Sequence, residues 1–167
     1  MRGVPFRRVR LEWQVVVILG ALVVVLAATV LWEIIQTSSN SAAASAGQDA
    51  QNAARTAAQT ILSYDYRSIN SDMTKSETLT TGTFRQQYET DAPRLLALAK
   101  QAKGVVQANV WQAGIVSESP SQVTVLLFVD QTTTQASNQT PQLSQNRVKM
   151  VMKKVGGNWL VSELDAL

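Results

Sequence analysis

An uncharged run near the N-terminus restricts this chain more than any other feature. Residues 13–32 read WQVVVILGALVVVLAATVLW and contain no charged side chain. At 1.5 Å per residue such a helix is about 30 Å long, which matches the hydrocarbon core of a bilayer. Arginines precede the run and Glu33 follows it, and this asymmetry predicts a membrane helix over 13–35 with the N-terminus in the cytoplasm. The alternative is a signal peptide cleaved at Ala44-Ser45-Ala46, which lies far from the apolar run.

The basic character of the chain is confined to its N-terminal tail. Residues 1–12 carry four arginines and one glutamate, which accounts for the whole formal net charge of +3. The remainder is balanced, so it lacks the basic stripe that nucleic-acid binding requires. The chain contains no cysteine and no histidine, which excludes thiol chemistry, disulfides, zinc fingers and the usual general base.

The first helix of the region beyond the membrane is predicted from alanine periodicity. Apolar residues recur with the spacing of one helical face, and polar residues occupy the other side. The apolar face is formed by Ala50, Ala53, Ala54, Ala57, Ala58, Ile61 and Leu62, and the polar side by Gln51, Asn52, Arg55, Gln59 and Ser63.

Two or three further helices are predicted before the strands begin. Ser68 or Asn70 can cap a short helix, and Thr81 can cap the next one. Pro93 is expected to interrupt that helix and to begin a new one, which stops at Gly104.

The C-terminal half has the composition of β-strands. An apolar run at 123–129 is typical of a strand buried on both faces, whereas 147–155 alternates and places Val148, Met150 and Met152 on one side. The polar tract 130–146 predicts a mobile hairpin tip. The strands are expected at 105–116, 123–129, 147–155 and 159–164. Helices followed by strands with short connections predict an α+β fold with a mainly antiparallel sheet.

Several segments, in this order, resemble the actinobacterial Mce-associated membrane proteins, the Mam accessory proteins of the mammalian-cell-entry (Mce) systems. They are the basic tail and anchor, ILSYDYRSI (61–69), LTTGTFRQQY (79–88), VLLFVDQTT (125–133) and GNWLVSEL (157–164). The resemblance implies an outer domain of the NTF2-like type, a cone of helices packed on a curved antiparallel sheet. It also implies a supporting role for lipid-importing complexes of the cell envelope. The alanine-rich first helix and the loop at 130–146 depart from the family pattern.

Tyr64, Asp65 and Tyr66 are the residues most suggestive of catalysis, because a carboxylate beside a phenol can act as general base and donor. Consecutive residues point in different directions on a helix or a strand, so the three are not expected to converge on one substrate. We predict that a tyrosine closes the core and that Asp65 makes local hydrogen bonds. Other candidates have structural interpretations: core or pocket lining for Trp111 and Trp159, the cone mouth for Asp130, and a solvated hairpin tip for Lys153 and Lys154.

The predicted organisation is a cytoplasmic tail at 1–12, a membrane helix at 13–35, a linker or helix continuation at 36–46 and an extracytoplasmic domain at 47–167. We expect a single-pass, non-enzymatic accessory subunit of an Mce lipid importer, with no catalytic, cofactor or metal residues. Its expected partners are Mce complex proteins and the membrane lipid around the anchor, and not nucleic acid. The alternatives are a bridging subunit of a secretion machine and a domain that binds, or less readily transforms, a lipid or small molecule. A filled core with an apolar outer patch would favour scaffolding over either kind of pocket.

Overall fold

Helices precede a meandering sheet in the computed structural model, which describes residues 42–167. The predicted tail, the membrane helix over 13–35 and the first part of the linker lie outside the described residues. Within the described range, no helix combines the length and the apolar character needed to cross a bilayer. The elements are α1 over 42–61, β1 (Tyr64–Asp65), α2 (Ile69–Thr78), α3 (Gly82–Ala102), β2 (Val105–Glu118), β3 (Gln122–Gln135), β4 (Asn138–Val155) and β5 (Asn158–Ala166).

The sheet has five strands in the order β1-β2-β3-β4-β5, and every neighbouring pair is antiparallel. The α+β prediction is therefore confirmed. Residues 42–167 form one compact unit, and the part of the predicted linker that is described, 42–46, is already helical.

The core lies between α1 and one face of the sheet. Ala50, Ala54 and Ala58 are completely buried, as the alanine periodicity predicts. The opposing sheet face contributes Val148, Met150 and Met152, which are exposed by no more than 3%. Because alanine has a short side chain, α1 can approach the sheet closely, and the larger sheet residues fill the space between them.

Residues of α1 and the residue Ser63 just after it form hydrogen bonds with the backbone along the free edge of β2. β1 pairs with only two residues of β2, which leaves most backbone groups on that edge without a strand partner. Gln51 Nε2 donates to the Ala113 carbonyl at 2.9 Å, and the Ala108 amide donates to Ser63 Oγ at 2.9 Å. Side chains of α1 and of Ser63, two residues beyond its end, therefore satisfy backbone groups that would otherwise be an exposed strand edge.

Strand β3 alternates instead of being buried on both faces. Val125 and Leu127 are completely buried, whereas Leu126 and Phe128 between them are only partly covered. The prediction of a doubly buried strand is wrong because the described helices cover only one face of the sheet and apolar residues occupy the other face as well.

Helix α3 continues through Pro93, contrary to the predicted break. Proline removes the hydrogen bond that its N–H would donate to the carbonyl four residues earlier, here that of Glu89. Glu89 and Pro93 both lie on an exposed part of the helix, where solvent can hydrate the released carbonyl. The helix ends at Ala102, and Lys103 follows in a left-handed conformation at φ 48°.

The predicted cap positions are correct, but the cap side chains bond differently. Ser68 and Thr81 immediately precede α2 and α3, and neither side chain bonds to its helix backbone. Ser68 Oγ instead donates to the Asp72 carboxylate at 2.9 Å.

The tract at 130–146 forms a hairpin, as predicted, but its strands are paired along most of the tract. β3 continues to Gln135 and β4 begins at Asn138, so the turn is confined to 136–137. Side-chain hydrogen bonds join the two strands, from Gln145 Nε2 to Asp130 Oδ1 at 3.2 Å and from Asn146 Nδ2 to Gln131 Oε1 at 2.7 Å. Consecutive threonines at 132–134 favour the extended backbone, which the polar composition of the tract obscured.

Candidate functional site

The Tyr64-Asp65-Tyr66 segment forms a strand and a turn, and Tyr64 and Asp65 border one surface pocket whereas Tyr66 borders another. Asp65 forms an ion pair with Arg67 and also accepts the Arg67 backbone N–H at 2.9 Å. These hydrogen bonds lower the pKa of the Asp65 carboxyl to about 2, so it remains ionised at neutral pH. The predicted local hydrogen bonding of Asp65 is confirmed.

The two tyrosines line different surface pockets. Tyr64 borders a pocket of about 560 Å³, and Tyr66 borders another of about 420 Å³ beside Lys103. Both tyrosines are only partly buried, whereas Ile69, a few residues later, is fully buried. The prediction that a tyrosine closes the core is therefore wrong. The larger pocket is open and polar and is lined by Thr60, Ser63, Tyr64, Asp65, Arg67, Asp72, Lys75, Val105, Val106 and Gln107.

No cluster of three acidic residues that could hold a metal ion occurs within 42–167. The space beneath α1, where a conical fold can hold a ligand, is occupied by core side chains. Ala57, Val129 and Val161 are among those exposed by 3% or less. The close approach of the alanine helix therefore closes the interior in this region.

The outer face of the sheet instead carries an apolar patch, which we define as Trp111, Leu126 and Phe128. Trp111 is 55% exposed and packs against Phe128, with ring centroids 5.4 Å apart. The pairing of β2 with β3 shifts register at Trp111, and such an irregularity can redirect a side chain. Here the shift leaves Gln112 exposed as well, whereas Trp111 already faces outward by alternation from the buried Ala108 and Val110, so the prediction that Trp111 lines the core is wrong.

Gly114 keeps the patch open beside Leu126, its cross-strand partner. A side chain at Gly114 would meet no atom within 4 Å of its Cβ. The absence of a side chain there leaves Leu126 uncovered on this side.

A charged network adjoins the patch on the outer face. Lys149 pairs with Leu126 across β3 and β4, and its Nζ lies 2.8 Å from Asp165 and 3.5 Å from Glu163. Hydrogen bonding to Lys149 lowers the pKa of the Asp165 carboxyl. An apolar centre with a charged margin is the usual composition of a protein interaction surface.

The remaining sequence candidates divide between the core and the surface. Trp159 packs against the core as predicted, and its Nε1 is buried without a hydrogen-bond partner. Asp130 lies on the outer face and accepts from Gln145, so its predicted place at a cone mouth is wrong. Lys153 and Lys154 are exposed beside the β4–β5 turn, as predicted.

The described α+β fold is similar to that of two solved domains. It superposes on the periplasmic domain of DotI with a TM-score of 0.60 and 18% identity, covering 70% of this chain and 91% of that one. It superposes on Agrobacterium tumefaciens VirB8 with a TM-score of 0.54 and 12% identity, covering 66% and 84%. At these identities the likeness shows the fold alone.

The chain belongs to the family described as "Uncharacterized protein Rv1363c/MT1408-like", whose model matches residues 11–166. Two similar relatives come from Mycobacterium tuberculosis strain H37Rv. "Uncharacterized protein Rv1362c" is 29% identical over 104 residues, 62% of this chain and 47% of the relative, so the match spans about half of the relative's length. "Outer membrane protein Rv1973" is 29% identical over 126 residues, covering 75% of this chain and 78% of the relative.

Proposed function

We propose that this protein is a membrane-anchored, non-enzymatic subunit of a cell-envelope complex, and that it acts by binding other proteins through the outer apolar patch. The observation that carries the proposal is the contrast between a filled interior and an exposed Trp111. An exposed tryptophan packed against a second aromatic ring, here in a tilted arrangement, is the type of residue that dominates interface energetics.

The location in the envelope is supported by two independent features. The uncharged run and its flanking charges predict a single-pass anchor with the following domain outside the cytoplasm. One relative is named an outer membrane protein, and one structural neighbour is a periplasmic domain.

We propose an Mce-type lipid importer as the complex. The support is the ordered set of segments that resembles the Mam accessory proteins, from the basic tail to GNWLVSEL at 157–164. In such a complex the subunit stabilises its partners and does not carry lipid inside its own core. Its partners are then Mce membrane proteins, with membrane lipid around the anchor.

A bridging subunit of a secretion machine is the second candidate. The observation that favours it is the fold shared with an IcmL-like type IV secretion system protein from Legionella pneumophila, as well as with DotI and VirB8. Both candidates use the domain as a contact module, and they differ in the proteins that meet it.

Photo-crosslinking separates the two candidates. A photoreactive phenylalanine analogue is placed at Trp111 in the full chain, and a control carries it at Gln142, an exposed position on the β3–β4 hairpin. We expect abundant adducts with Mce proteins from position 111 and few from position 142. Adducts with secretion-machine proteins would support the second candidate. Partner capture at 142 and not at 111 would contradict the proposed surface.

The absence of catalysis is tested at the only acid–tyrosine segment singled out in the sequence. Asp65→Asn and Tyr64→Phe should leave biological function unchanged wherever thermal stability is retained, because the ion pair with Arg67 lowers the pKa of Asp65 to about 2 and makes its carboxylate a weak general base. Loss of function at an unchanged melting temperature would contradict a purely binding role.

A further inference from the structure

Two hairpin turns meet at one end of the sheet. Gln122 pairs with Lys153 at the start of β3 and near the end of β4. Beyond this pair the Lys154 amide donates to the Ser121 carbonyl at 2.9 Å, which ties the β2–β3 turn to the β4–β5 turn. We call this end of the domain, formed by residues 119–121 and 153–158, the double-turn tip.

The N-terminal end of α1 lies beside the same end of the sheet. Gly47 packs against the Glu118 side chain, and a Cβ on Gly47 would lie 3.1 Å from Ile115 Cδ1. Further along, Gln51 contacts Ala113 and Ser63 contacts Ala108. The helix therefore runs antiparallel to β2, and the start of α1 and the double-turn tip are neighbours.

Covalent geometry limits how far this end can be from the membrane. The predicted membrane helix ends at residue 35, and the described helix is already present at residue 42. Seven residues span at most about 25 Å even when fully extended. If 13–35 crosses the bilayer, the start of α1 stays within about that distance of its outer surface.

The chemistry of the tip suits a lipid headgroup layer. Lys153 and Lys154 are exposed, and Val155 is 45% exposed beside them. Lys154 Nζ lies 5.6 Å from the ring centroid of Trp159, so the lysine extends over an aromatic face. Lysines around a small apolar group can contact phosphates while the apolar group enters the interface. Asp49 and Glu118 are acidic residues at the same end, but the Glu118 side chain is turned against α1.

We propose that the double-turn tip contacts the anionic phospholipid headgroups of the membrane in which the chain is anchored. The contact would hold the domain in one orientation, so that the outer patch projects sideways toward partners in the same membrane. This inference rests on the membrane anchor of the proposed function.

The natural absence of cysteine permits a direct test in the full chain. Val155→Cys and, as the control, Leu143→Cys are each labelled with a fluorophore in liposomes that contain headgroup-quencher lipids. Leu143 is 64% exposed and lies twelve residues earlier on β4, about 40 Å away along the strand. Liposome flotation establishes anchoring, and circular dichroism checks that both variants fold.

We expect quenching at position 155 to exceed that at position 143 at least about threefold in anionic liposomes, because headgroup charge attracts basic residues over short distances. Lys153→Gln with Lys154→Gln should lower quenching at 155 toward its value in zwitterionic liposomes. Equal quenching at 155 and 143 in protein that floats would overturn the tip contact alone. Failure of the chain to float would overturn the anchor, and the tip proposal with it.

Discussion

The two faces of the sheet are built from similar residues and have opposite surroundings. Leu126 and Leu127 are adjacent in β3, yet Leu127 is completely buried against the α1 side and Leu126 lies on the outer face beside Trp111. One face gains its stability from a helix of the same chain. We infer that the other face is kept apolar for a partner, since maintaining this fold does not require an exposed tryptophan.

The largest expected effect comes from truncating the two leucines separately. Leu127→Ala should lower the free energy of unfolding by about 2–5 kcal/mol, because it leaves a cavity in the core. Leu126→Ala should lower it by less than about 1 kcal/mol, because its side chain is only partly buried. Urea denaturation of both variants measures the difference. Similar losses for the two leucines would contradict the assignment of faces.

The close approach of α1 is tested by enlarging one of its buried alanines. Ala54→Leu should destabilise the domain by about 1–3 kcal/mol, because no space exists between the helix and the sheet. Ala44→Leu, at an exposed position of the same helix, is the matched control and should be nearly neutral. An unchanged unfolding midpoint for Ala54→Leu would indicate an unfilled interior and would revive the ligand-pocket alternative.

The contact between α1 and the β2 edge should contribute less than the core. Ser63→Ala removes the acceptor of the Ala108 N–H and should cost about 1–2 kcal/mol. Thr60→Ala is the control, because the Thr60 hydroxyl donates only within its own helix, to the Thr56 carbonyl. Amide hydrogen exchange at Ala108 should accelerate in Ser63→Ala and not in Thr60→Ala. If both variants leave this exchange unchanged, the Ser63 hydroxyl that follows α1 does not protect the strand edge.

The smallest effect is expected at the exposed Asp65–Arg67 pair. The folded-state pKa of Asp65, about 2, lies below the ordinary value of 3.8, so its stabilising contribution is present above pH 3.8 and lost as the pH falls through 2. Asp65→Asn should therefore lower the melting temperature slightly at pH 6 and by much less near pH 2, where the carboxyl of the folded protein is about half protonated. A difference in melting temperature between wild type and Asp65→Asn that grows as the pH falls would contradict this account.

Repeating patterns in the sequence predicted the inner face of the sheet and the helix that covers it. The alanine spacing of α1 and the alternation of Val148, Met150 and Met152 identified both sides of the core, because a buried face imposes its period on the sequence. The helix-to-strand order was sufficient for the α+β class.

The outward-facing half was harder to predict. Trp111 faces outward by alternation from the buried Ala108 and Val110, but a large apolar side chain favours a buried position and this preference concealed the pattern. The hydrogen bond from Gln51 in α1 to Ala113 in β2 joins residues far apart in sequence, so the local sequence indicates only that Gln51 is on the polar side of the helix. Pro93 and the threonine tract misled because local propensity was overridden by the helix and the hairpin that contain them.

The most direct test of the outer patch as an interaction surface adds a charge at Gly114, where a new side chain meets no neighbour. In the full membrane-anchored protein, Gly114→Glu is compared with Gln142→Glu, which adds the same charge on the exposed hairpin. The measurement is the amount of partner protein that co-purifies after mild solubilisation, together with the melting temperature. We expect Gly114→Glu to retain the wild-type melting temperature and to weaken partner binding at least about tenfold, about 1.4 kcal/mol, while Gln142→Glu changes neither. Equal partner recovery with both variants, at equal stability, would contradict a binding role for the outer face.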